Sequence, residues 1–364
     1  MEINEAVKLQ KTPLYQAHVS LGAKMAPFGG WLMPIQYEGI LAEHAHTRSA
    51  VSVFDICHMG EFILEGEAVS SGLDRVVSQK IVTLPLGSCR YGFMLNEQGG
   101  ILDDLIVYRL KENIWMLVVN AATIAGDEAH LKGHLAKRCV FKNISADLGK
   151  LDVQGPKSRD ALQDIFGSNI TKLKYYSFAE FAFAKESCII SRTGYTGELG
   201  YEIYISAGKV NDLWELLLKD KRVKPAGLGS RDTLRLEMGY PLYGQDLDAR
   251  HTPIAAGLEK FVEILKDFIG KDALLNEQKN RPRERLVCFK ASSRRSPRHG
   301  FAIFNQGERV GTVTSGSFSP SLCAGIGMGY VSGAYKTGAN LLVKDSNTEI
   351  PVSIVEKPFY NKPL

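Results

Sequence analysis

The stretch from residue 271 to 364 sets the tightest limit on what this chain can fold into. Its segments RLVCFKA, FAIFNQGERVGTVTSG, GIGMGYV, NLLVKD and EIPVSIVEKPF are short, rich in β-branched and aromatic residues, and separated by turn residues. Short strands separated by turns suggest an all-β terminal domain. Residues 60–143 carry a second strand-rich texture in EFILEG, CRYGFMLNEQGGILDDLIVYRL and NIWMLVVNAA, with NEQGG as a hairpin turn. From Ala146 strands alternate with helices: KLDVQG, then helical KSRDALQDIF, strands SCIISRTG and YEIYIS, amphipathic KVNDLWELLLKD and a helix over SRDTLRLEMG. Residues 12–56 read as a short helix in TPLYQAHVS, a Gly/Pro-rich loop, and a helix ending near Val53. The fold class is α+β with a β-rich C-terminal module.

Composition narrows the function. The chain has 364 residues and 44 Lys+Arg against 40 Asp+Glu, a net +4 too dilute for a nucleic-acid or membrane footprint. No apolar run reaches the ~18 residues of a membrane span, and MEINEAVKLQKT lacks the apolar core of a signal peptide, so a cytoplasmic protein is expected. The six cysteines form no CxxC pair, which argues against structural zinc and a disulfide framework. His44 and His46, two apart on a helix, point about 200° away from one another and make a poor metal pair.

Within ILDDLIVY, a strand places Ile101, Asp103, Leu105 and Val107 on one face and Leu102, Asp104, Ile106 and Tyr108 on the other. An acid therefore lies in an apolar face whichever side is inward. Turn amides could satisfy one Asp at the strand start; a substrate that brings N–H groups could satisfy the other, and the residues alone leave the choice between Asp103 and Asp104 open. Glu202, in the Gly-rich SRTGYTGELGYEIYIS, reads either as an exposed acid on an edge strand or as a carboxylate aimed at a bidentate donor. Arg231 shares a helix face with Arg235 and has a surface ion pair with Asp232 or Glu237 as its plain alternative. GIGMGY and GLGSRD lack the context of a dinucleotide fingerprint. His58 in FDICHMGEF reads as a satisfied loop histidine with no triad partner.

KTPLYQAHVSLGAKMAPFGGWLMPIQY, FDICHMGEF, NEQGGILDDLIVY, VNAA, QGPK, SRTGYTGELGYE, PAGLGSRDTLRLEMGYPLYGQDLD, DFIGKDAL and TSGSFSPSL run in order over almost the whole chain. Together they closely resemble the T-protein family of the glycine cleavage system, tetrahydrofolate-dependent aminomethyltransferases. The resemblance implies three domains in a cloverleaf around a central folate site: 1–55 plus 146–270 as a discontinuous first domain, 56–145 inserted into it, and 271–364 as a C-terminal β-barrel. It implies tetrahydrofolate as co-substrate, the lipoylated H-protein as partner, and no metal. Asp104 then matches the catalytic acid/base, Tyr91, Tyr108 and Tyr195 match pocket aromatics, Glu202 the pterin-edge carboxylate, Arg231 a folate-site cation, and Met59 and Tyr176 further pocket positions.

The chain departs from the family pattern at Cys57, Thr123, Leu199, Glu259 and Lys260. Two rival readings share the scaffold. A non-catalytic folate-binding relative serving iron–sulfur assembly would carry a KGCYxGQE-type block where this chain reads GYPLYGQDLD. A folate-dependent demethylase of sulfonium or methylamine substrates is disfavoured by GAKM, HMGEF and LDDLIVY. Arg294, Arg295 and Arg298 in SSRRSPRHG are either a docking patch for an acidic carrier protein or a solvated basic loop.

Overall fold

The computed structural model describes residues 9–361, so residues 1–8, on which part of the localisation reading rests, lie outside the described residues. The described chain forms two compact units. Among the described residues one comprises 9–61, 143–194 and 198–231, the other 62–142, 195–197 and 232–361. No helix among the described residues is long and apolar enough to cross a membrane.

The first unit is built on a six-stranded sheet in the order Phe178–Phe183, Glu186–Ser191, Gly200–Ser206, Leu148–Gln154, Val51–Asp55, Val223–Pro225. Alternation along two central strands divides its faces. Leu151, Val153, Tyr201, Ile203 and Ile205 join the apolar core, against which the helices Ser158–Phe166 and Val210–Leu218 press Leu162, Leu213, Trp214 and Leu217. Lys150, Asp152, Gln154 and Glu202 occupy the opposite face and are buried too. A sheet buried on both faces whose second face is charged needs a special reason.

Two readings near the N-terminus are corrected. The Gly/Pro-rich loop is a hairpin, Lys24–Phe28 with Trp31–Gln36, turned by Gly29 and Gly30 at φ 55 and 85. Two consecutive positive φ values define the tight turn that glycine allows, and a two-stranded ribbon tolerates Pro27 and Pro34 because its outer N–H groups need no partner. The following helix stops at Ser49, and Val51–Asp55 is a wholly buried strand. Its β-branched valines pack in the sheet core, which overrides continuation of the helix.

In the second unit a five-stranded sheet runs Cys89–Leu95, Ile101–Lys111, Ile114–Val119, Gly60–Glu65, Val140–Asn143. The NEQGG turn forms as read, with Gly99 at φ 79, while the Asn96 side chain accepts from the amides of Gln98 and Gly100. A helix, Lys271–Asn280, precedes the C-terminal strands. These close into a six-stranded barrel in the order Glu284–Ala291, Ala324–Ser332, Glu308–Ser319, Ala302–Asn305, Asn340–Lys344, Glu349–Val355. The glycines of GIGMGY lie on its second strand in that order, where a Cβ on Gly327 would sit 2.6 Å from the Phe289 ring. Arg294 lies over the Phe318 ring at 4.9 Å, and Arg295 and Arg298 line a shallow depression with Phe301, Asn347 and Ile350.

Candidate functional site

In the second unit, the Ile101–Lys111 strand lies between two neighbours in its sheet, and its alternation appears as read. Asp103 is 0% exposed on the core side. Its carboxylate accepts from the Asn120 backbone N–H at 2.9 Å and from Asn120 Nδ2 at 2.8 Å. These donors stand just beyond the Ile114–Val119 strand, so the turn amides, taken by Asn96, are not its partners.

Asp104 points to the other face, half-buried. It accepts from Tyr91 Oη at 2.8 Å and from Asn120 Nδ2 at 2.8 Å. Burial, then the charge of Asp103, raises its pKa to about 7, while the bonds from Tyr91 and Asn120 pull the other way. A carboxyl that titrates near neutrality can give and take protons under working conditions.

Tyr91 is held edge-on by Phe93 and Phe261, at 5.3 and 4.9 Å between ring centres. Lys260 lies over the Phe261 ring, so this departure from the family pattern bears on the wall behind Tyr91. Tyr108 is fully buried on the Asp104 strand, opposite Cys89 and Met116. Tyr195 stacks on Tyr240 at 5.8 Å and donates to the Pro241 carbonyl. Tyr91 and Asp104 are thus in direct contact, whereas Tyr195 and Tyr108 are placed by contacts of their own.

The first unit gathers Met59, Glu202 and Arg231 around the charged face of its sheet. Glu202, 5% exposed, lies on a central strand in register with Ser191 and Asp152, which overturns the exposed edge-strand alternative. One carboxylate oxygen accepts from Thr193 Oγ1 at 2.6 Å and the other lies 3.7 Å from Lys150 Nζ. Lys150, 1% exposed, also points at Met59 Sδ at 3.5 Å and stands 4.8 Å from the Tyr204 ring centre. The Arg231 ion pair runs to Asp152 at 3.6 Å, while Asp232, offered as its surface partner, is bound by Arg235. Tyr176 holds a left-handed backbone, φ 60, with its N–H on the Arg192 carbonyl and its ring edge-on to Tyr175.

The close approach of glycines explains the turn beside Glu202. A Cβ on Gly194 or Gly200 would meet the Gln154 side chain at 2.2 or 2.1 Å. Leu199, a further departure, packs against the apolar core and turns its carbonyl to Gly155 N and Ser158 Oγ. Cys57 also fits locally, its sulfur lying between Lys150 N and O at 3.1 and 3.4 Å.

Sequence reasoning missed Lys150, Asp152, Glu61, Asn120 and Asp127. The alternation in KLDVQG was the available signal, but Lys-x-Asp-x-Gln on a strand ordinarily marks a solvent face. His58 is not the satisfied histidine expected. It is buried edge-on to Phe28, its Nδ1 has no hydrogen-bond partner, and desolvation lowers its pKa to about 4. Glu61 Oε1 is likewise unpartnered and buried. No group of three or more His, Cys, Asp or Glu among the described residues is arranged to hold a metal.

Residues 14–266 match the family model described as "GCVT N-terminal domain", and residues 284–361 match "Glycine cleavage T-protein C-terminal barrel domain". The chain belongs to the glycine cleavage T-protein family. It is 41% identical over 356 residues to an aminomethyltransferase of Halothermothrix orenii, covering 96% of this chain and 100% of that one. An aminomethyltransferase of Thermotoga maritima is 40% identical over 357 residues, covering 97% and 98%. Among solved structures, glycine cleavage system aminomethyltransferase T from Bartonella henselae superposes with a TM-score of 0.91 at 36% identity, covering 98% of this chain and 99% of that one.

Burial of Glu61 has a consequence for this family member's own stability. Burial raises its pKa to about 8, with Glu202 adding to the shift and Lys150 opposing it. The folded state therefore holds a proton that the unfolded chain releases near 4.5, so stability is fully present below that value and declines as pH rises toward about 8. Thermal melts of the unliganded protein are expected to fall across this window, and Glu61→Gln to flatten the decline most midway between 4.5 and about 8, where the unfolded carboxyl is ionised and the folded one still protonated. An unchanged slope in the variant would show that Glu61 ionises freely in the folded protein.

Proposed function

We infer that this chain is a tetrahydrofolate-dependent aminomethyltransferase of the glycine cleavage system. It takes the aminomethyl group carried as a thioether on the lipoyl arm of the H-protein and passes the carbon to tetrahydrofolate. The C–S and C–N bonds of that group break, and two C–N bonds to folate nitrogens form. The two protons displaced from those nitrogens leave on the dihydrolipoyl sulfur and on ammonia, with no change of oxidation state. The observation that carries the reading is the 40% identity to an aminomethyltransferase over 97% of the chain.

Asp104 is proposed as the acid/base that moves these protons, held in place by Tyr91 and Asn120. Glu202 is proposed to recognise the pterin edge, whose 2-amino and N3–H groups are donors, and Arg231 to supply a cation to the folate. Met59, Tyr91, Tyr108, Tyr176 and Tyr195 are proposed as pocket residues. Supporting the fit is a buried polar face in which Glu61 Oε1 lacks a donor and His58 Nδ1 lacks a partner. Buried acceptors without donors are costly alone and suit a ligand that carries N–H groups.

The direct test combines the protein with aminomethyl-loaded H-protein and tetrahydrofolate and follows ammonia. Release that depends on both supports the assignment; folate binding without release would favour the non-catalytic relative. A second measurement addresses recognition. Glu202→Gln replaces an acceptor with a donor facing donors, so calorimetry should show folate binding weakened by about 1–3 kcal/mol. Unchanged affinity would remove Glu202 from the pterin edge.

A further inference from the structure

The charged sheet face of the first unit holds a cation that recognition by Glu202 and Arg231 does not use. Lys150 sits on the Leu148–Gln154 strand opposite Tyr204, and one step along the same face Asp152 stands opposite Glu202. The Lys150 side chain is 1% exposed. Its Nζ lies 3.5 Å from Met59 Sδ, 4.8 Å from the Tyr204 ring centre and 3.7 Å from Glu202 Oε1. The last distance makes an ion pair but is too long for a hydrogen bond. Among the described residues, the acceptor within hydrogen-bond reach of this three-donor group is therefore a thioether, which accepts weakly.

The neighbouring charges are matched more closely. Asp152 has Arg231 at 3.6 Å and accepts from Gln154 Nε2 at 2.5 Å, and the second oxygen of Glu202 accepts from Thr193 Oγ1 at 2.6 Å. An ammonium buried only to balance Glu202 would gain by closing on it, because the attraction that offsets desolvation falls with distance. Lys150 is instead a donor held beside an acceptor, with most of its hydrogen-bonding capacity unspent.

We propose that Lys150 is a folate-binding residue that donates to the 4-oxo group of the pterin while Glu202 accepts from the N3–H and 2-amino groups. The inference deepens the reading of Glu202 as the pterin-edge carboxylate and rests on it.

Along this edge a pterin presents a donor at the 2-amino group, a donor at N3 and an acceptor at the 4-oxo oxygen. Its complement is two acceptors followed by a donor. The Glu202 carboxylate and the Lys150 ammonium supply that order, with Lys150 on the Oε1 side and Thr193 holding the other oxygen. An oxo group facing a desolvated ammonium gains a charge-assisted hydrogen bond. An amino group in the same place faces a cation that cannot accept. Lys150 is thus a specificity residue that selects a 4-oxo over a 4-amino pteridine.

The test is calorimetry with tetrahydrofolate and with its 2,4-diamino counterpart, in which an amino group replaces the 4-oxo oxygen. Lys150→Met keeps the unbranched side chain and removes its charge and donors. It should weaken tetrahydrofolate binding roughly tenfold, leave the analogue bound at least as tightly as before, and so shrink the wild-type preference for the 4-oxo ligand. The analogue also lacks N3–H, but that loss meets Glu202 in both proteins, so the change in preference isolates Lys150. A residue that merely orders the face would weaken both ligands alike, and a preference that persists in Lys150→Met overturns the proposal. The same shrinkage is expected between Glu202→Gln and Lys150→Met/Glu202→Gln, where no ionisation at position 202 contributes. This second pair leaves no carboxylate at that position without its cation, so it decides the matter if Lys150→Met does not fold, and an unchanged preference across it also overturns the proposal. Unchanged tetrahydrofolate affinity in Glu202→Gln alone identifies a different failure, that of the pterin-edge reading, and the role of Lys150 falls with it.

Discussion

Asp104→Asn is expected to lower ammonia release by roughly 10²-fold or more while leaving folate affinity comparatively intact, because a group that moves protons acts mainly in the transition state. The substitution is nearly isosteric, and the carbonyl oxygen of the introduced amide can still accept from Tyr91 or Asn120. A large loss would therefore report the missing ionisation rather than a collapsed strand. The same variant should abolish the limb expected near pH 7 in the wild type from the raised Asp104 carboxyl. Asp103→Asn should cost much less turnover, since Asp103 faces the core and is held by Asn120. Steady-state rates with saturating H-protein separate the cases. Equal losses from the two variants would overturn the assignment of roles to the two strand faces.

A second large effect belongs to stability. Arg235 and Asp246 are both fully buried and meet at 2.7 Å. Asp246 also accepts from Leu242 N at 2.9 Å, from Ser315 Oγ at 2.8 Å and from Thr314, while Arg235 donates to Ser315 Oγ, Asp232 and the Tyr240 carbonyl. Thr314 and Ser315 lie on a barrel strand, so the network ties the segment from Asp232 to Asp246 to the barrel. Removing Asp246 leaves the buried Arg235 with only the partly exposed Asp232 as counter-ion, and Asp246→Ala should destabilise the protein by about 3 kcal/mol in denaturant unfolding. The paired change Arg235→Met/Asp246→Leu removes both charges and should cost less than the single alanine. A single-variant loss below about 1 kcal/mol would mean that water or another anion reaches Arg235.

Much of this architecture was legible because periodicity and turn chemistry act locally. The all-β character of the C-terminal module follows the strand signals of its segments, its closure into a barrel being a matter of tertiary pairing, and the NEQGG turn follows from a glycine at positive φ. Helices at Ser158–Phe166 and Val210–Leu218 follow from amphipathic spacing. Local signals failed where burial decided. Val51–Asp55 continues a helical pattern in sequence but fills a central sheet position, and the Gly29–Gly30 pair joins two strands that read as loop. Family membership was equally available from the ordered blocks, since these carry chemistry that recurs as fixed residue strings.

The sequence by itself determined that ILDDLIVY must place one acid on each face of a strand, because side chains alternate by geometry. Which acid would be clamped inward was a tertiary matter: Asn120, sixteen residues from Asp104, supplies the donors that hold Asp103 and also reaches its neighbour. Nor could spacing reveal that Lys150, Asp152 and Glu202 face the interior, since a polar alternation reads the same on a solvated sheet as on a buried one. Only the packed fold removes water from that face, and desolvation is what raises Glu61 and Asp152 to about 8 and about 7.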